Sequence, residues 1–237
     1  DLGGESTRPG AAEVSEEVEW SRIAPVLSKL SEVSLVPISV DTRHPGVAAR
    51  ALDAGADLIN DVGGLRDPGM RRLLARTGAP AIGMHMRGTP STMQSATEYD
   101  DVLDEVFQAL ATATATAEAE GIARGALLID PGLGFGKTAE QNFELLAHIG
   151  EFRSLGYPIV VGASRKSFLG AALGNAPISQ RLEAGIAAAV LAAWDGVQVI
   201  RTHDVGPTVR ALRFTQALRR TGRSGTLSPE QEPADLD

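Results

Sequence analysis

The sequence contains no cysteine, few aromatic residues and no long apolar segment. Without cysteine the chain forms neither disulfides nor thiolate metal sites, which fits a reducing, cytoplasmic compartment. The longest apolar stretch, at 184–194, is too short to span a membrane, and no signal peptide is visible. Positive charge is also scarce, since 22 Lys and Arg against 30 Asp and Glu give a formal net charge of −8. This acidic balance argues against a nucleic-acid surface.

The stretch DPGLGFGKTAEQN (130–142) resembles a phosphate-binding loop but lacks its spacing. Such a loop needs a glycine five residues before Gly136, and that position is Pro131, which has no N–H to offer. The dinucleotide-binding pattern fails too, because the three glycines are evenly spaced. What remains is a strand that delivers Asp130 into a glycine-rich turn before a helix. We expect Phe135 to contact a ligand from this turn and Lys137 to be solvated.

Short apolar runs alternate with helical periodicity along the chain. Because the runs lack an alternating polar face, they predict strands buried on both sides of a parallel α/β sheet. The predicted strands are 37–41, 58–62, 80–86, 126–130, 158–164 and 197–204. The predicted helices are 14–32, 45–54, 67–77, 99–121, 139–155, 179–195 and 205–221.

Polar residues at the strand ends separate two parallel architectures. An open sheet gathers its ligand groups at one switch point, whereas a barrel draws them from nearly every strand. Here almost every strand ends in such a group, which predicts a (β/α)8 TIM barrel over residues 1–222. Six complete strands and the end of a seventh at Asp1 are recognisable, so we expect the first βα unit to be missing from this chain. Residues 223–237 are polar and acidic, and we expect a disordered tail or linker there.

Two groups of strand-end residues are candidate sites. Asp41, Asn60 and Asp130 suit a flat heterocycle with several N–H donors, or a divalent metal, although each alone could simply cap a strand. Cations gather in the segments GGESTRPG (3–10), GASRKS (162–167) and RTHD (201–204). Arginine forks match carboxylate or phosphate, and late strands of barrels bind phosphate, so these segments predict an anion site. The plain alternative for 3–10 is a flexible loop with a surface arginine.

Together these segments resemble the dihydropteroate synthase family, in the same order and across residues 1 to about 215. The motifs that carry the resemblance are DLGGESTRPGA, PISVDT, LINDV, MHMRGTPSTMQ, DPGLGFGKTAEQN, GASRKSFLG and RTHDV. The resemblance implies condensation of a dihydropterin pyrophosphate with p-aminobenzoate in folate biosynthesis. It also implies that sulfonamides compete for the p-aminobenzoate-binding pocket.

The resemblance implies a role for each matching residue. Asp130, Lys166 and Arg201 are the implied catalytic residues. The pterin ring would be held by Asp41, Asn60, Asp130 and Lys166 and lined by Met84, Phe135 and Gly162. The pyrophosphate would be bound by Thr7, Arg8, Arg201 and His203. The p-aminobenzoate pocket would be bordered by Pro9, Lys166 and Ser167.

One departure from the family concerns the metal. The family carries an Asn-Val-Thr-Pro-Asp-Ser-Phe-like segment whose Asn and Asp help to hold Mg²⁺, and nothing in this sequence matches it. Mg²⁺ is therefore an implied cofactor without identified ligands. The family also implies a homodimer. Two alternatives stay open, a pterin-binding methyltransferase and an inactive remnant of the barrel.

Overall fold

A computed structural model of the chain describes residues 1–8, 10–95 and 97–223. Within these residues, short strands alternate with α-helices from one end to the other. The strands are β1 (Leu2–Gly3), β2 (Ser39–Asp41), β3 (Leu58–Asp61), β4 (Ala81–Met84), β5 (Leu127–Asp130), β6 (Val160–Val161) and β7 (Val199–Ile200). The helices are α1 (Glu16–Val33), α2 (Pro45–Asp53), α3 (Pro68–Thr77), α4 (Val102–Ala119), α5 (Ala139–Ala147), α6 (Ser167–Ala172), α7 (Leu182–Trp194) and α8 (Val205–Arg223).

The predicted α/β class with a parallel sheet is confirmed. Strands β1 to β5 pair in sequential order, β6 pairs with β7, and a bridge between Ile129 and Ile159 connects the two sets. Among the described residues, no backbone pairing joins β7 to β1. Side chains make that connection instead, because Arg201 after β7 donates to Asp1 beside β1. The strand order is the sequential order that a (β/α) barrel requires.

Helix starts and ends follow from local sequence. Helix α3 begins where the Asp67 carboxylate accepts from the Gly69 N–H, and it ends at Gly78 in the left-handed conformation. Helix α5 begins with a capping box formed by Thr138 and Gln141. These caps place each helix close to its predicted position.

Two helical segments differ from the prediction. The predicted helix 139–155 is an α-helix only to Ala147, and a tighter 3₁₀ segment follows over Ile149–Leu155. Helix α6 was not predicted, because its six residues are too few to show a helical period. The predicted tail lies outside the described residues, apart from Arg223 at the end of α8.

The core lies between the strands and the helices. Its largest buried side chains include Leu27, Ile59, Leu74, Leu127 and Phe152. Burial on both faces of the strands explains the unbroken apolar runs in the sequence. In the described part of the chain, no helix is both long and apolar enough to cross a bilayer.

The turn after β5 approaches the end of β4 closely. Gly132 has φ +70°, and a Cβ built there would stand 1.9 Å from the His85 carbonyl oxygen. Only glycine fits such a position, because any side chain would overlap the neighbouring backbone. The turn that follows Asp130 is therefore pressed against the loop that follows β4.

We predict that Gly132→Ala distorts this turn and destabilises the protein more than Gly78→Ala does. Both glycines have φ +70°, but the position of a Cβ at Gly78 is open. Gly78→Ala should cost roughly 1–2 kcal/mol, the usual penalty of the left-handed conformation, and Gly132→Ala should cost clearly more because of the clash. Urea unfolding of both variants measures the difference. Equal losses of stability would show that the close approach to His85 is not a constraint.

Candidate functional site

Strand register brings the predicted polar residues to one end of the sheet. Asp41 at the end of β2 is the partner of Asn60 in β3, and Asp130 at the end of β5 is the partner of Met84 in β4. Paired residues of neighbouring parallel strands point to the same side. The carboxyl ends of the strands therefore carry two carboxylates and a carboxamide close together, as the sequence predicted.

Arg201 lies between two carboxylates across the ends of β1, β2 and β7. Its Nε donates to Asp1 Oδ2 at 2.7 Å and its Nη2 to Asp41 Oδ2 at 3.2 Å. Nη1 donates to no other described residue, so the guanidinium keeps a free edge for an anion. Asp1 was missed by the sequence reasoning, because it precedes β1, whereas the chosen residues stand at the carboxyl ends of strands.

Asp1 also determines how Asn60 is oriented. The Asn60 Nδ2 donates to Asp1 Oδ2 at 3.3 Å, while Ser39 Oγ donates to Asp1 Oδ1 at 2.6 Å. With one amide hydrogen held in this way, Asn60 retains a second N–H and its carbonyl oxygen. It can therefore offer both a donor and an acceptor to a heterocycle.

The carboxylates of the site are desolvated. Burial raises the pKa of Asp41 to about 6, although Arg201 beside it opposes the shift. Burial also raises the pKa of Asp130, against the opposing charge of Lys166. The Gly132 N–H donates to Asp130 Oδ1 at 2.7 Å and fixes the carboxylate at the start of the glycine-rich turn. Two buried carboxyl groups of this kind suit N–H donors of a bound ring.

Lys166 is the cation of the site, at the start of α6. Its Nζ donates to the Leu133 carbonyl and lies 4.4 Å from the centre of the Phe135 ring. Burial lowers the pKa of Lys166 to about 8, while Asp130 favours its charged form. The glycine-rich turn thus positions Lys166, and the Phe135 ring lies against its ammonium; that Phe135 contacts a ligand stays a prediction.

The other predicted slot residues lie beside these groups. Met84 is buried in an apolar cluster with Val62 and Met93, and Phe135 packs on it. Gly162 is buried, and a Cβ there would lie 3.5 Å from the Cβ of Arg201. These residues form an apolar floor next to the polar groups.

His203 follows Arg201 and is oriented by Ser164. The Ser164 hydroxyl accepts from the His203 N–H at 3.2 Å and lies 3.1 Å from Nδ1. The hydroxyl can donate its own hydrogen to Nδ1 or accept one from it, so this contact orients the ring and leaves Nε2 free to meet a ligand. Burial lowers the pKa of His203, with Arg165 and Arg201 adding to the shift, which favours the neutral ring.

Four predicted residues lie at the edge of this arrangement or outside the described residues. Thr7 and Arg8 lie on the loop after β1, and neither of their side chains hydrogen-bonds to another described residue. Ser167 is exposed at the first turn of α6. Pro9 lies outside the described residues.

The prediction that Lys137 is solvated is wrong. Its side chain is buried, with 5% of the residue exposed, and its Nζ contacts His85 Nδ1 at 3.1 Å and the carbonyls of Gly132 and Phe135 at 3.0 Å each. The reason is the close packing of two loops, which leaves the side chain no route to solvent. The run of alternate glycines before Lys137 was the available signal, because it lets the turn fold back over the lysine.

Potential metal ligands are not clustered in the described part of the chain. Within 1–8, 10–95 and 97–223, no three His, Asp or Glu side chains are grouped so that they could hold a metal ion. Asp1 and Asp41 lie close to the proposed anion site, but both are paired with Arg201.

Two cavities, of about 460 and about 400 Å³, lie against α4, and Met84 lines the second of them. Their lining is rich in small residues such as Ala109 and Ala113. The only acidic residue among their lining residues is Glu105, which is paired with Arg87. The first cavity offers the carboxamide of Gln108, but neither cavity combines a carboxamide with two carboxylates as the strand ends do.

We predict that Asp41→Asn stabilises the fold at neutral pH. Because Asp41 has a higher pKa in the fold than in the unfolded chain, its ionisation costs stability as the pH rises from about 4 to about 6. Removing the charge should raise the free energy of unfolding by roughly 3 kcal/mol above that window and leave it unchanged below. Asp61 titrates in the same window in both proteins, so its contribution cancels.

Urea unfolding at about pH 4 and about pH 7.5 measures this difference. Asp53→Asn, at an exposed position on α2, is the control and should change stability at neither pH. A loss of stability in Asp41→Asn at neutral pH would mean that the ion pair with Arg201 outweighs desolvation.

Comparison with known proteins agrees with this site. Residues 1–203 match the family model described as pterin binding enzyme. The dihydropteroate synthase of Escherichia coli K12 is 48% identical over 217 residues, which are 92% of this chain and 77% of that protein. The crystal structure of Yersinia pestis dihydropteroate synthase with a sulfonamide drug complex has a TM-score of 0.88 at 45% identity, covering 92% of this chain and 78% of that one. The Xanthomonas albilineans dihydropteroate synthase with 4-aminobenzoic acid has a TM-score of 0.88 at 44% identity, with the same coverage. The chain belongs to the pterin-binding enzymes, in the dihydropteroate synthase family.

Proposed function

We propose that this protein condenses 6-hydroxymethyl-7,8-dihydropterin pyrophosphate with p-aminobenzoate to give 7,8-dihydropteroate and pyrophosphate. The observation that carries the proposal is the meeting of Asp41, Asn60, Asp130 and Lys166 at the carboxyl ends of the strands, beside Arg201. The sequence relatives and the ligands named in the related structures support the same reaction. The protein is thus a transferase of folate biosynthesis and a sulfonamide target.

The first requirement of the reaction is a good leaving group. The carbon–oxygen bond between the pterin methylene and the pyrophosphate breaks, and the electron pair leaves with the pyrophosphate. Arg201, through its Nη1 edge, and His203, through Nε2–H, would donate to the phosphate oxygens as their charge increases. Donors fixed before the reaction stabilise developing charge without reorganisation.

The second requirement is to stabilise the carbon that loses the leaving group. Positive charge spreads from the methylene into the pterin ring, where the buried carboxylate of Asp130 would stabilise it. Lys166 would hold the ring through its polar edge. The amine of p-aminobenzoate forms the new carbon–nitrogen bond and then loses a proton to solvent or to the released pyrophosphate. No side-chain nucleophile is required.

A pterin-binding methyltransferase is the weaker alternative. It would need the pterin pocket but not the anion-binding group of Arg201, Ser164 and His203. The curated relatives named above are dihydropteroate synthases rather than methyltransferases. The paired presence of a ring pocket and an anion group favours the synthase.

Lys166→Met should weaken binding of both a dihydropterin ligand and p-aminobenzoate, because one ammonium borders both places. Loss of a charge-assisted contact should reduce affinity roughly ten- to a hundredfold. Calorimetry measures both affinities, and Lys29→Met on the exposed face of α1 is the control that should bind as the wild type does. Unchanged affinity for both ligands in Lys166→Met would refute this role.

The activity itself is tested by release of pyrophosphate. The wild-type protein should release it only when both substrates are present, and titration with Mg²⁺ after chelation should reveal any dependence on that ion. Pyrophosphate release that does not depend on p-aminobenzoate would contradict the proposal.

We propose Mg²⁺ as a cofactor from the family resemblance and expect it to bind together with the pyrophosphate, since Mg²⁺ commonly binds through substrate phosphates. A cytoplasmic location is proposed on the same basis.

A homodimer is supported by an apolar surface on α7 and α8, which pack on each other. Helix α7 is apolar on both sides: Ala188 and Ala192 face the core, while Leu191 and Trp194 are 57% and 51% exposed. On α8, Phe214 is 67% exposed. A helix that is apolar all round is normally covered, and a second copy of the chain would cover it.

Introducing charge on this surface should separate the dimer. Trp194→Glu combined with Phe214→Glu should shift the mass in light scattering from two chains to one, because each protomer would bury the new carboxylates against the other. Leu35→Glu, at a fully exposed apolar residue outside α7 and α8, is the matched control and should leave the mass unchanged. A wild-type protein that is monomeric at all concentrations would refute the dimer.

A further inference from the structure

The buried ammonium of Lys137 lies beside the proposed site, and of the residues assigned to substrate it contacts Phe135, through the backbone carbonyl and not the ring. Its three N–H bonds have three acceptors, namely the carbonyl oxygens of Gly132 and Phe135 and the Nδ1 of His85, all at 3.0–3.1 Å. An ammonium group has three donors, so its hydrogen-bonding capacity is used completely.

These acceptors belong to two separate loops. Gly132 and Phe135 lie in the turn after β5, and His85 follows β4. The turn contains three glycines with positive φ, which makes its backbone intrinsically permissive. Lys137 connects both ends of this turn to the residue after β4. It therefore limits the backbone motion of a segment whose glycines would otherwise allow many conformations.

The same turn positions the proposed pterin-binding groups. The Gly132 N–H holds the Asp130 carboxylate, and the Leu133 carbonyl accepts from Lys166. Phe135 lies beneath the Lys166 ammonium. A displacement of the turn would therefore move a carboxylate, a cation and an aromatic ring together.

An apolar side chain at this position would be buried at a lower cost in free energy than a lysine. No carboxylate lies within ion-pair distance of Lys137 among the described residues, and burial lowers the pKa of Lys137 to about 7. Its neighbours with charge are Asp130, which favours the ammonium, and Lys166 and Arg87, which oppose it. A buried cation without a counter-ion is a costly way to fill space.

We propose that Lys137 is a positioning residue for pterin binding: its hydrogen bonds to Gly132, Phe135 and His85 hold the glycine-rich turn in the shape that places Asp130 and Lys166. The identity of the ligand rests on the proposed function, whereas the role of Lys137 in holding the turn is independent of it. Lys137 thereby supports substrate binding without contacting the substrate.

The test compares Lys137→Met and Lys137→Gln with the wild-type protein. Lys137→Met fills the space without donors, and it should lower affinity for a dihydropterin ligand about tenfold or more, since small displacements of binding groups are costly. Lys137→Gln keeps an amide donor and should lose less. Hydrogen exchange should become faster in residues 131–137 and stay unchanged in the core strands, which a general loss of stability would not produce.

Nitrogen-15 spectra of the histidine rings add an independent readout. In the wild-type protein, Nδ1 of His85 should be the unprotonated nitrogen that accepts from Lys137. Lys137→Met should therefore change the Nδ1 resonance of His85. The His85→Gln variant, which lacks this resonance, assigns it. Wild-type affinity and unchanged exchange of the turn in a folded Lys137→Met protein would overturn the proposal. If Lys137→Met does not fold, Lys137→Gln decides by the same two measurements. If the wild-type protein binds no dihydropterin, the proposed function fails, and exchange alone decides whether Lys137 holds the turn.

Discussion

The structure depends on burying opposite charges where parallel strands end together. Asp41 and Asp130 lose water there, and their raised pKa values record the cost. Arg201 and Lys166 supply the compensating charge, and each is held by groups from other strands. Such an arrangement is a poor way to gain stability, because desolvation of an ion pair offsets much of its attraction. It is a good way to bind a polar ring and an anion in a dry site.

The glycine-rich turn gives this charged end its shape. It begins at Asp130, passes beneath Lys166 and returns to Lys137, and it lies against the His85 carbonyl with no room for a side chain. The same glycines that suggested a nucleotide loop therefore serve a different purpose, because they allow the backbone to approach another strand closely. The proposed phosphate-binding groups are instead side chains at the end of the sheet.

Sequence reasoning located the groups whose positions follow from strand periodicity. Asp41, Asn60 and Asp130 each end an apolar run, and parallel strands bring such ends together. It could not place Lys137, because a lysine at the start of a helix is ordinarily solvated, and its burial depends on His85, 52 residues away. Asp1 was missed for a similar reason, since its partner Arg201 lies 200 residues along the chain. Contacts of this kind come from packing rather than from local pattern.

A crystal structure of the protein with 6-hydroxymethyl-7,8-dihydropterin pyrophosphate tests the central claim most directly. The account predicts the ring between Asn60 and Asp130, with Lys166 at its polar edge and the pyrophosphate on Arg201 and His203. A ring bound in the cavity against α4, next to Ala109 and Arg87, or a pyrophosphate remote from Arg201, would contradict it.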